Sequence, residues 1–551
     1  MKNVVYAGLV FATLSACGGG GPDAGKCIGS DSVCHPSSSA GNGVIAAAAT
    51  VAKQCVAPRP ASAMDPFTQK PYGDTQGSLT TEKAWIRGYV NETYLWYQDV
   101  AFTNPDFYVI GATVTDVEPS DNSKSSIKLT SNLEVLNAYF NSQRSTLVTP
   151  SGKPKDQYHY TYATDEWNAL SNAGSSVGFG FQIALIASKP PRSAVVAYSD
   201  PGTPASENNL GRGAKIVQVN GVNVVDGDPA VLNEGLFSPT EGKQYTFVVQ
   251  DQGSTATRTI TMAARTVIST PVQNVKTLPA PYADVGYMQF NEHIATAESQ
   301  LIAAVNQLKL ANAGAGIKDL VLDLRYNGGG LLDIASELAY MIAGPTPTAG
   351  KTFEKTSFND KNPFKLSDAD AITPFYTTTQ GFSTTTGQVL PQLGLARVFI
   401  LAGSGTCSAS EAIINGLRGV GIQVVLIGNT TCGKPYGFYP QDNCSTTYFT
   451  VQFKGVNQAG FGEYADGFIP GGGANTGNNL PGCAVADDFS KPLGDITEAR
   501  LAAAMQFRTG GSCASAMMAN GASMSKVMLP DASLGRSFVR ENRIYRPRPV
   551  R

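Results

Sequence analysis

A serine and a lysine each follow a short apolar run in the second half of the chain. Ser408 comes after Val-Phe-Ile-Leu at 398–401, and Lys434 comes after Val-Val-Leu-Ile at 424–427. Apolar runs of this length, bounded by turn residues, are typical of buried parallel strands, whose carboxyl ends meet at one edge of a sheet. A hydroxyl and an amine at that edge are the components of a nucleophile–base pair. The pattern predicts a serine hydrolase that needs neither a histidine nor a metal.

Backbone donors for an oxyanion are expected on both sides of Ser408. A helix is predicted to begin directly after the serine, which places the N–H of Ala409 beside the hydroxyl. The turn that contains Gly329 and Gly330 follows a strand expected at 320–325, and glycines let a substrate approach the backbone closely. Each such donor stabilises the transition state by about 3 kcal/mol. We expect Ala409 and this glycine turn to form the oxyanion hole.

Lys434 can act as a base only in its neutral form. The reference pKa of lysine is about 10.4, so work near neutral pH needs a fall of about 3 units. Burial between apolar strands lowers a lysine pKa in this way, whereas a nearby carboxylate opposes it. The segment 424–438 contains no aspartate or glutamate, which favours a neutral amine. Glu411, three residues after the serine, is expected to act on the helix dipole or to have a structural role.

The segment that ends at Lys434 also has the spacing of a phosphate-binding loop. Gly428 and Gly433-Lys434 reproduce the Gly-x4-Gly-Lys pattern after a strand. Pro435 stands where a serine or threonine would hold Mg²⁺, and Gly437 and Pro440 prevent the helix that would follow. Nucleotide binding is therefore not expected.

Alternating strand and helix patterns predict an α/β core over residues 269–510. Strands are expected at 286–290, 320–325, 398–401 and 424–427, and helices at 296–310, 331–343, 409–417 and 495–507. A polar, threonine-rich stretch at about 346–388 is expected to be an insertion. The remaining chain divides into a signal peptide (1–17), a flexible tether (18–75), a helical domain (76–172), a β-rich domain (173–268) and a C-terminal tail (511–551). The predicted fold class is a multidomain α/β protein.

Charge and composition restrict the partners and cofactors. The chain has 551 residues, and 41 basic against 43 acidic residues give a net charge of −2, which argues against nucleic acid as the main partner. Only three histidines are present, and no cysteine pair has Cys-x-x-Cys spacing, so no metal or other cofactor is expected. The sequence does not predict an oligomeric state.

The N-terminus is similar to a bacterial lipoprotein signal. An apolar stretch at 4–14 is too short to span a membrane, and Leu-Ser-Ala precedes Cys17, which would carry the lipid. A plain secretory signal is the alternative. Lipidation would anchor the protein in the cell envelope, at the outer membrane facing the periplasm or the exterior.

The cysteines agree with export. Besides Cys17 there are eight, an even number that suggests disulfides in an oxidising compartment. Short loops favour the pairs Cys27–Cys34 and Cys432–Cys444, although many pairings remain open and a zinc site is the rival interpretation.

The β-rich domain resembles a PDZ domain. The sequence Gly178-Phe179-Gly180-Phe181 matches the carboxylate-binding loop of that family, while Ala214 stands where an aspartate is usual. The resemblance implies that the loop's N–H groups hold a terminal carboxylate while the peptide adds a strand to the sheet edge. A β domain that only spaces its neighbours apart is the alternative.

Three motifs together resemble the S41 family of C-terminal processing peptidases. They are Asp-Leu-Arg-Tyr-Asn-Gly-Gly-Gly at 323–330, Ser-Ala-Ser-Glu at 408–411 and Gly-Lys at 433–434. The resemblance implies a ClpP/crotonase-like core in which Ser408 and Lys434 form a catalytic dyad. It also implies an endopeptidase that cleaves exported proteins near their C-termini or in unfolded segments.

The chain departs from the family at two positions near the dyad. Phe438 stands where several members have a glutamine that orients the lysine, and Gly419 stands where some have an aspartate. The family's tricorn-like branch adds a histidine, and His293, just after a predicted strand, could correspond to it, but a surface position is expected for His293. These departures leave a second hypothesis open, a non-catalytic peptide- or ligand-binding protein on the same fold.

Overall fold

A computed structural model describes residues 45–66, 68–119, 122–149, 151–187, 190–473, 475 and 477–513, and the backbone of 543–544. Cys17 and the expected pair Cys27–Cys34 lie outside these residues. No helix within the described ranges is long and apolar enough to cross a membrane. The described residues belong to one compact unit, which begins at Ile45.

The first part of this unit combines helices with short strands. Its helices are α1 (Ala48–Val51), α2 (Leu79–Thr93), α3 (Asn132–Asn141) and α4 (Thr164–Ala173), with 3-10 turns at Tyr97–Asp99 and Pro105–Phe107; its strands are β1 (Gln54–Cys55), β2 (Thr75–Gln76), β3 (Thr113–Val117), β4 (Lys124–Lys128) and β5 (Tyr160–Ala163). Helix α2 begins at a capping box in which Ser78 and Thr81 exchange hydrogen bonds. Trp85 of this helix stacks on Tyr89 and contacts Tyr448 of the core. Because α1 and β1 precede residue 76 and β2 begins at Thr75, folded structure begins inside the segment expected to be a tether.

The β-rich domain forms one main sheet and a short two-stranded sheet. Its elements are β6 (Ser175–Gly178), β7 (Phe181–Ala187), β8 (Ser193–Ser199), β9 (Lys215–Val219), β10 (Val222–Asn223), β11 (Gln244–Gln250), β12 (Arg258–Ala263) and β13 (Arg265–Ile268), with helices α5 (Pro204–Glu207) and α6 (Pro229–Phe237). The main sheet has the order β12-β11-β9-β8-β7, so β7 is an edge strand, and β6 pairs with β13. Phe179 is buried against Tyr245 and Phe247 in the domain's core.

The core sheet has the order β14-β15-β16-β20-β21-β28, antiparallel in its first pair and parallel in the others. Its elements run from β14 (Val272–Thr277), β15 (Val285–Phe290), α7 (Ala297–Lys309), a 3-10 turn at Asn312–Gly314, β16 (Asp319–Asp323), β17 (Gly330–Leu331), α8 (Leu332–Ala343) and α9 (Pro345–Thr348) to β18 (Thr352–Phe358), β19 (Ile372–Pro374), β20 (Arg397–Ala402), α10 (Ala409–Gly419), β21 (Gln423–Gly428), β22 (Tyr436–Gly437), β23 (Gln441–Asn443), β24 (Thr446–Phe449), β25 (Phe453–Val456), β26 (Ile469–Pro470), β27 (Asn479–Leu480), β28 (Gly482–Ala484) and α11 (Ala499–Gly510); β29 (Arg543–Ile544) follows later. Alternate residues of β20 and β21 enter two separate apolar clusters. One cluster includes α7, α8 and α10 and the other includes α11, so the sheet is buried on both faces.

Smaller sheets connect the core to its surroundings. Strand β5 pairs with β24, which joins the first part of the chain to the core, and β18 pairs with β25 in the sheet β19-β18-β25-β22. Residues 346–388, expected to be an insertion, therefore supply two strands of the sheet that also contains β22, the strand after Lys434. Strand β29 pairs in parallel with β17.

The expected pairing of Cys432 with Cys444 is wrong. The disulfides of the described residues are Cys55–Cys444, Cys407–Cys432 and Cys483–Cys513. Proximity along the chain favoured a short loop, but the turn between β23 and β24 faces β1, where the Cα atoms of Cys444 and Cys55 lie 5.3 Å apart. Cys432 is instead directed toward the serine segment.

Candidate active site

The core sheet brings the serine and lysine segments to one edge. Strands β20 and β21 are parallel neighbours in register from Arg397 and Gln423 to Ala402 and Gly428, and the chain leaves both at the same end. A disulfide then joins Cys407, directly before the serine, to Cys432, two residues before the lysine. Ser408 and Lys434 are both completely buried.

Ser408 has an unusual backbone conformation. It precedes α10 with φ 59° and ψ −114°, in the region that favours glycine. Such a conformation costs on the order of 1–3 kcal/mol in a residue with a side chain and persists only where its surroundings hold it. The N–H of Ser408 donates to Glu411 Oε2 at 3.0 Å, which fixes the turn between β20 and α10.

Glu411 joins the two segments through its carboxylate. Its Oε2 accepts from the N–H of Ser408 and, at 2.8 Å, from the N–H of Lys434. Its Oε1 accepts from the N–H of Gly433 at 2.8 Å and from the hydroxyl of Thr431 at 2.5 Å. Burial raises the pKa of this carboxyl, and the four hydrogen bonds oppose the rise. From the sequence, Glu411 was expected to act on the helix dipole or to have a structural role. In the structure, one of its carboxylate oxygens accepts hydrogen bonds from the backbone N–H groups of both Ser408 and Lys434.

The glycine turn lies directly against the serine. A Cβ on Gly329 would fall 2.7 Å from Ser408 Cβ and 2.9 Å from the Ala409 nitrogen, so only glycine fits this contact. The N–H of Gly329 donates to Asn327 Oδ1 at 3.0 Å and is therefore already engaged. This leaves the N–H of Gly330 and that of Ala409 as the stronger oxyanion candidates.

Asn327 connects the glycine turn to the serine loop. Its backbone oxygen accepts from the N–H of Cys407 at 3.1 Å and from the hydroxyl of Ser410 at 3.0 Å. Its side-chain oxygen also contacts His293 Nδ1 at 3.0 Å, and its amide donates to the Phe290 carbonyl. Changes at Asn327 would therefore reach both sides of the proposed oxyanion hole.

The expectation that His293 lies on the surface is wrong. Its side chain is completely buried, and burial lowers its pKa to about 3, so the imidazole is neutral. Its main chain extends the glycine turn, because its N–H donates to the Gly329 carbonyl and its carbonyl accepts from the N–H of Leu331. Periodicity could not reveal this burial, since His293 lies just beyond β15 in an irregular segment.

Aromatic rings surround the amine of Lys434. Its Nζ lies 4.3 Å from the ring centroid of Tyr158 and 4.6 Å from that of Phe438. Phe438, which stands where the S41 motif has a glutamine, thus contacts the amine with the face of its ring and also packs against Phe449. These two rings pack against the amine and help to orient it.

Residues 424–438 contain no acid, but in the folded structure two acidic residues from other segments act on Lys434. Glu411 bonds the lysine's backbone, and Asp156 is close enough for the charge of Lys434 to affect it. Burial raises the pKa of the Asp156 carboxyl, against the hydrogen bond from Tyr94 and the charges of Arg144 and Lys434. Both acids come from segments far from Lys434 in sequence, so local composition could not predict them.

A buried ionic cluster supports the start of the glycine turn. Arg325 contacts Asp323 at 2.9 Å, Asp487 at 2.7 Å and Glu498 at 2.8 Å. Arg212 of the β-rich domain reaches the same Asp487 at 2.6 Å. The β-rich domain is thereby connected to the strand end from which the glycine turn departs.

Two alternative sites fail on geometry. The N–H groups of Gly433 and Lys434, which would face a phosphate in a nucleotide-binding loop, both donate to Glu411. Cys407, Glu411 and Cys432 form a cluster of potential metal ligands within the described residues. Their two sulfurs are bonded to each other, which leaves no thiolate for zinc.

The loop Gly178-Phe179-Gly180-Phe181 lies at the start of the edge strand β7. Gly180 has φ 77°, and a Cβ there would meet Thr203 at 2.3 Å. Phe179 and Phe181 stack at 5.7 Å, and the carbonyl of Phe179 accepts from the N–H of Ala205. The loop thus belongs to the β-rich domain and not to the group around Ser408.

The fold of this chain is similar to that of solved protease structures. One similar structure is that of a Bacteroides fragilis protein assigned to the S41 proteases. The alignment covers 78% of this chain and 97% of that protein, at 23% identity and with a TM-score of 0.55. A photosystem II D1 C-terminal processing protease is more distant, at 18% identity and a TM-score of 0.41 over 72% of this chain and 92% of its own. The Bacteroides fragilis structure shows that the fold is mixed α/β and similar to that of an S41 protease.

The sequence comparisons indicate the family. Residues 284–442 match the model of Peptidase family S41. A carboxyl-terminal-processing protease from Picosynechococcus sp. is 25% identical over 285 residues. That match covers 51% of this chain and 60% of the relative, less than two thirds of its length. Together these matches support a relationship to the S41 peptidases of the C-terminal processing type.

Proposed function

We propose that this chain is a serine endopeptidase in which Ser408 is the nucleophile and Lys434 the general base. The observation that carries the proposal is the double connection between the two segments, through the Cys407–Cys432 disulfide and through Glu411. A surface lysine and a helix-capping serine would not need to be held to one another in this way.

The reaction would proceed by acyl transfer. Neutral Lys434 takes the hydroxyl proton while Ser408 Oγ attacks the peptide carbonyl, and the oxyanion forms beside the N–H groups of Ala409 and Gly330. The proton passes to the leaving amine, which departs and leaves an ester on Ser408. Water then hydrolyses the ester by the same steps, and the serine is regenerated.

The substrates would be proteins or peptides outside the cytoplasm, cleaved near their C-termini or in unfolded segments. The Picosynechococcus relative is a carboxyl-terminal-processing protease, which favours this class. The loop Gly178–Phe181 would hold a terminal carboxylate while the peptide pairs with the edge strand β7. Lipid at Cys17 would anchor the protein in the bacterial envelope, at the outer membrane.

Hydrolysis of fluorescein-labelled casein tests the catalytic assignment. Ser408→Ala and Lys434→Met should each reduce kcat by at least about 10³-fold, because members of a nucleophile–base pair act as a unit. Ser404→Ala and Lys318→Met are matched controls at exposed positions and should retain full activity. Full activity in purified Ser408→Ala protein would exclude Ser408 as the nucleophile.

A fluorophosphonate probe separates the peptidase from a non-catalytic binding protein. The specific observation that favours the binding protein is Phe438 in place of the lysine-orienting glutamine. Covalent labelling that maps to Ser408 and is lost in Lys434→Met would support the peptidase. A chain that binds peptides yet takes no label would support the binding protein.

A further inference from the structure

The C-terminal segment of the chain forms a strand at the glycine turn. Arg543 and Ile544 (β29) pair in parallel with Gly330 and Leu331 (β17), which directly follow the contact between Gly329 and Ser408. Strand β29 also lies beside β22, Tyr436–Gly437, which begins two residues after Lys434. The C-terminal segment thus neighbours both the glycine turn that contacts Ser408 and the strand that follows Lys434.

The pairing uses the groups of the turn that face away from His293. The Gly329 carbonyl and the Leu331 N–H are both taken by the backbone of His293. Backbone groups alternate sides along a strand, so the N–H and carbonyl of Gly330 face away from His293. On that side Gly330 is paired with Arg543. In a parallel pair a residue bonds the positions on either side of its partner, so the Gly330 carbonyl accepts from the N–H of Ile544.

This edge is where the proposed mechanism needs a peptide. A substrate whose carbonyl reaches Ser408 must lie along Gly330, since Gly329 touches the serine. An extended peptide added to such an edge is bound by main-chain hydrogen bonds, independently of its sequence. Ser408 and Lys434 are completely buried in this structure, so a substrate can reach them only after part of the surrounding chain has moved.

We propose that the C-terminal segment around Arg543–Ile544 is an intramolecular ligand of the substrate edge, and that it competes with external peptides for Gly330. The description of this edge as a substrate edge rests on the proposed function, whereas the binding of the C-terminal segment to it does not. Prolines at positions 547 and 549 have no N–H to donate, which limits the main-chain hydrogen bonds available to this part of the sequence.

The expected size of the competition follows from tethering. Because it belongs to the same chain, the segment has an effective concentration of about 1 mM at its own site. If the free peptide bound with a Kd of about 0.1 mM, the edge would be occupied roughly ten times more often than empty, and the apparent KM would rise about tenfold. A competitor leaves kcat unchanged.

Full-length proline variants test the inference. Ile544→Pro removes the N–H that pairs with Gly330, whereas Ser537→Pro places a proline outside β29 and serves as the control. The first measurement is amide hydrogen exchange of residues 328–335, with both substitutions made on Ser408→Ala protein so that no hydrolysis interferes. The second is KM and kcat for labelled casein in otherwise unmodified protein.

Ile544→Pro should lower the exchange protection of 328–335 at least tenfold and lower KM about tenfold, while Ser537→Pro changes neither. Unchanged protection in Ile544→Pro, or protection that rises with protein concentration and so comes from another copy, would overturn the inference. Loss of protection in a chain that never hydrolyses casein would support the internal ligand and refute the peptidase. Hydrolysis with an unchanged KM would support the peptidase and refute the competition.

Discussion

Replacing Glu411 by glutamine tests the link between the serine and lysine segments with almost no change in shape. The carboxylate accepts two hydrogen bonds on each oxygen, from Ser408 and Lys434 on Oε2 and from Gly433 and Thr431 on Oε1. An amide keeps one accepting oxygen and turns an NH₂ group toward the other two donors. A buried donor left without a partner costs about 1–3 kcal/mol, so Glu411→Gln should lower the free energy of unfolding by about 2–4 kcal/mol. That is a large part of a typical stability of about 5–15 kcal/mol.

The same substitution should reduce activity more than stability alone explains. Loss of the shared acceptor lets the backbone of Ser408 and that of Lys434 move independently, and a displacement near 1 Å costs about 10²-fold in rate. Urea unfolding gives the stability, and casein hydrolysis well below the unfolding midpoint gives kcat. Glu166→Gln, at an exposed position of α4, is the control. A Glu411→Gln protein with kcat within twofold of the original would refute the argument that this carboxylate aligns the two segments.

Three further outcomes are expected. Replacing both Cys407 and Cys432 by serine opens a loop with a sequence separation of 25 and should lower the unfolding free energy by about 3 kcal/mol, with a fall in kcat, as measured by urea unfolding and casein hydrolysis. Asn327→Ala releases the N–H of Gly329 and should reduce kcat about 100-fold with a smaller effect on KM. Burial lowers the pKa of His159 to about 3, below its unfolded value near 6.5. The contribution of the neutral imidazole to the free energy of unfolding is therefore complete above pH 6.5 and is lost as the pH falls below that value. His159→Gln should flatten this pH dependence by up to about 1.4 kcal/mol per pH unit between pH 6 and 5.

Each of these outcomes has its own control. The pair Cys483–Cys513 spans a separation of 30 and is remote from the serine loop in sequence, so its double serine variant should lose similar stability but keep kcat. Equal kcat losses in the two cysteine variants would contradict a local role for Cys407–Cys432. Asn415→Ala, which removes a buried asparagine from the far end of the serine helix, should not reproduce the kcat loss of Asn327→Ala. An unaltered pH slope in His159→Gln would mean that carboxyl groups alone cause the acid lability.

The sequence predicted the parts of the site that depend on local patterns. The apolar runs before Ser408 and Lys434 are fully buried from Val398 and Val424 onward, and both become neighbouring parallel strands. Burial on both faces of a sheet leaves no alternative to an apolar run, which is why this prediction succeeded. The glycine turn was also expected near the serine, since three glycines between a strand and a helix predict a close backbone approach.

Features that depend on distant segments were missed or predicted wrongly. The disulfide of Cys444 joins positions separated by 389 residues, and sequence proximity pointed to Cys432 instead. The charge of Lys434 acts on Asp156, which belongs to the first part of the chain, and the main chain of His293 is bonded to the glycine turn. The pairing of Arg543 with Gly330 was also missed, because the sequence after Gly510 has no clear pattern.

The left-handed conformation of Ser408 has a consequence for protein production. Glycine at this position would relieve the conformational cost, so Ser408→Gly should be an inactive protein that is more stable than the original by about 1 kcal/mol. Selection for expression or heat resistance alone would therefore favour chains that have lost the nucleophile. Laboratory evolution of this scaffold needs a screen for turnover at every round, because thermostability and chemistry make opposite demands on this one residue.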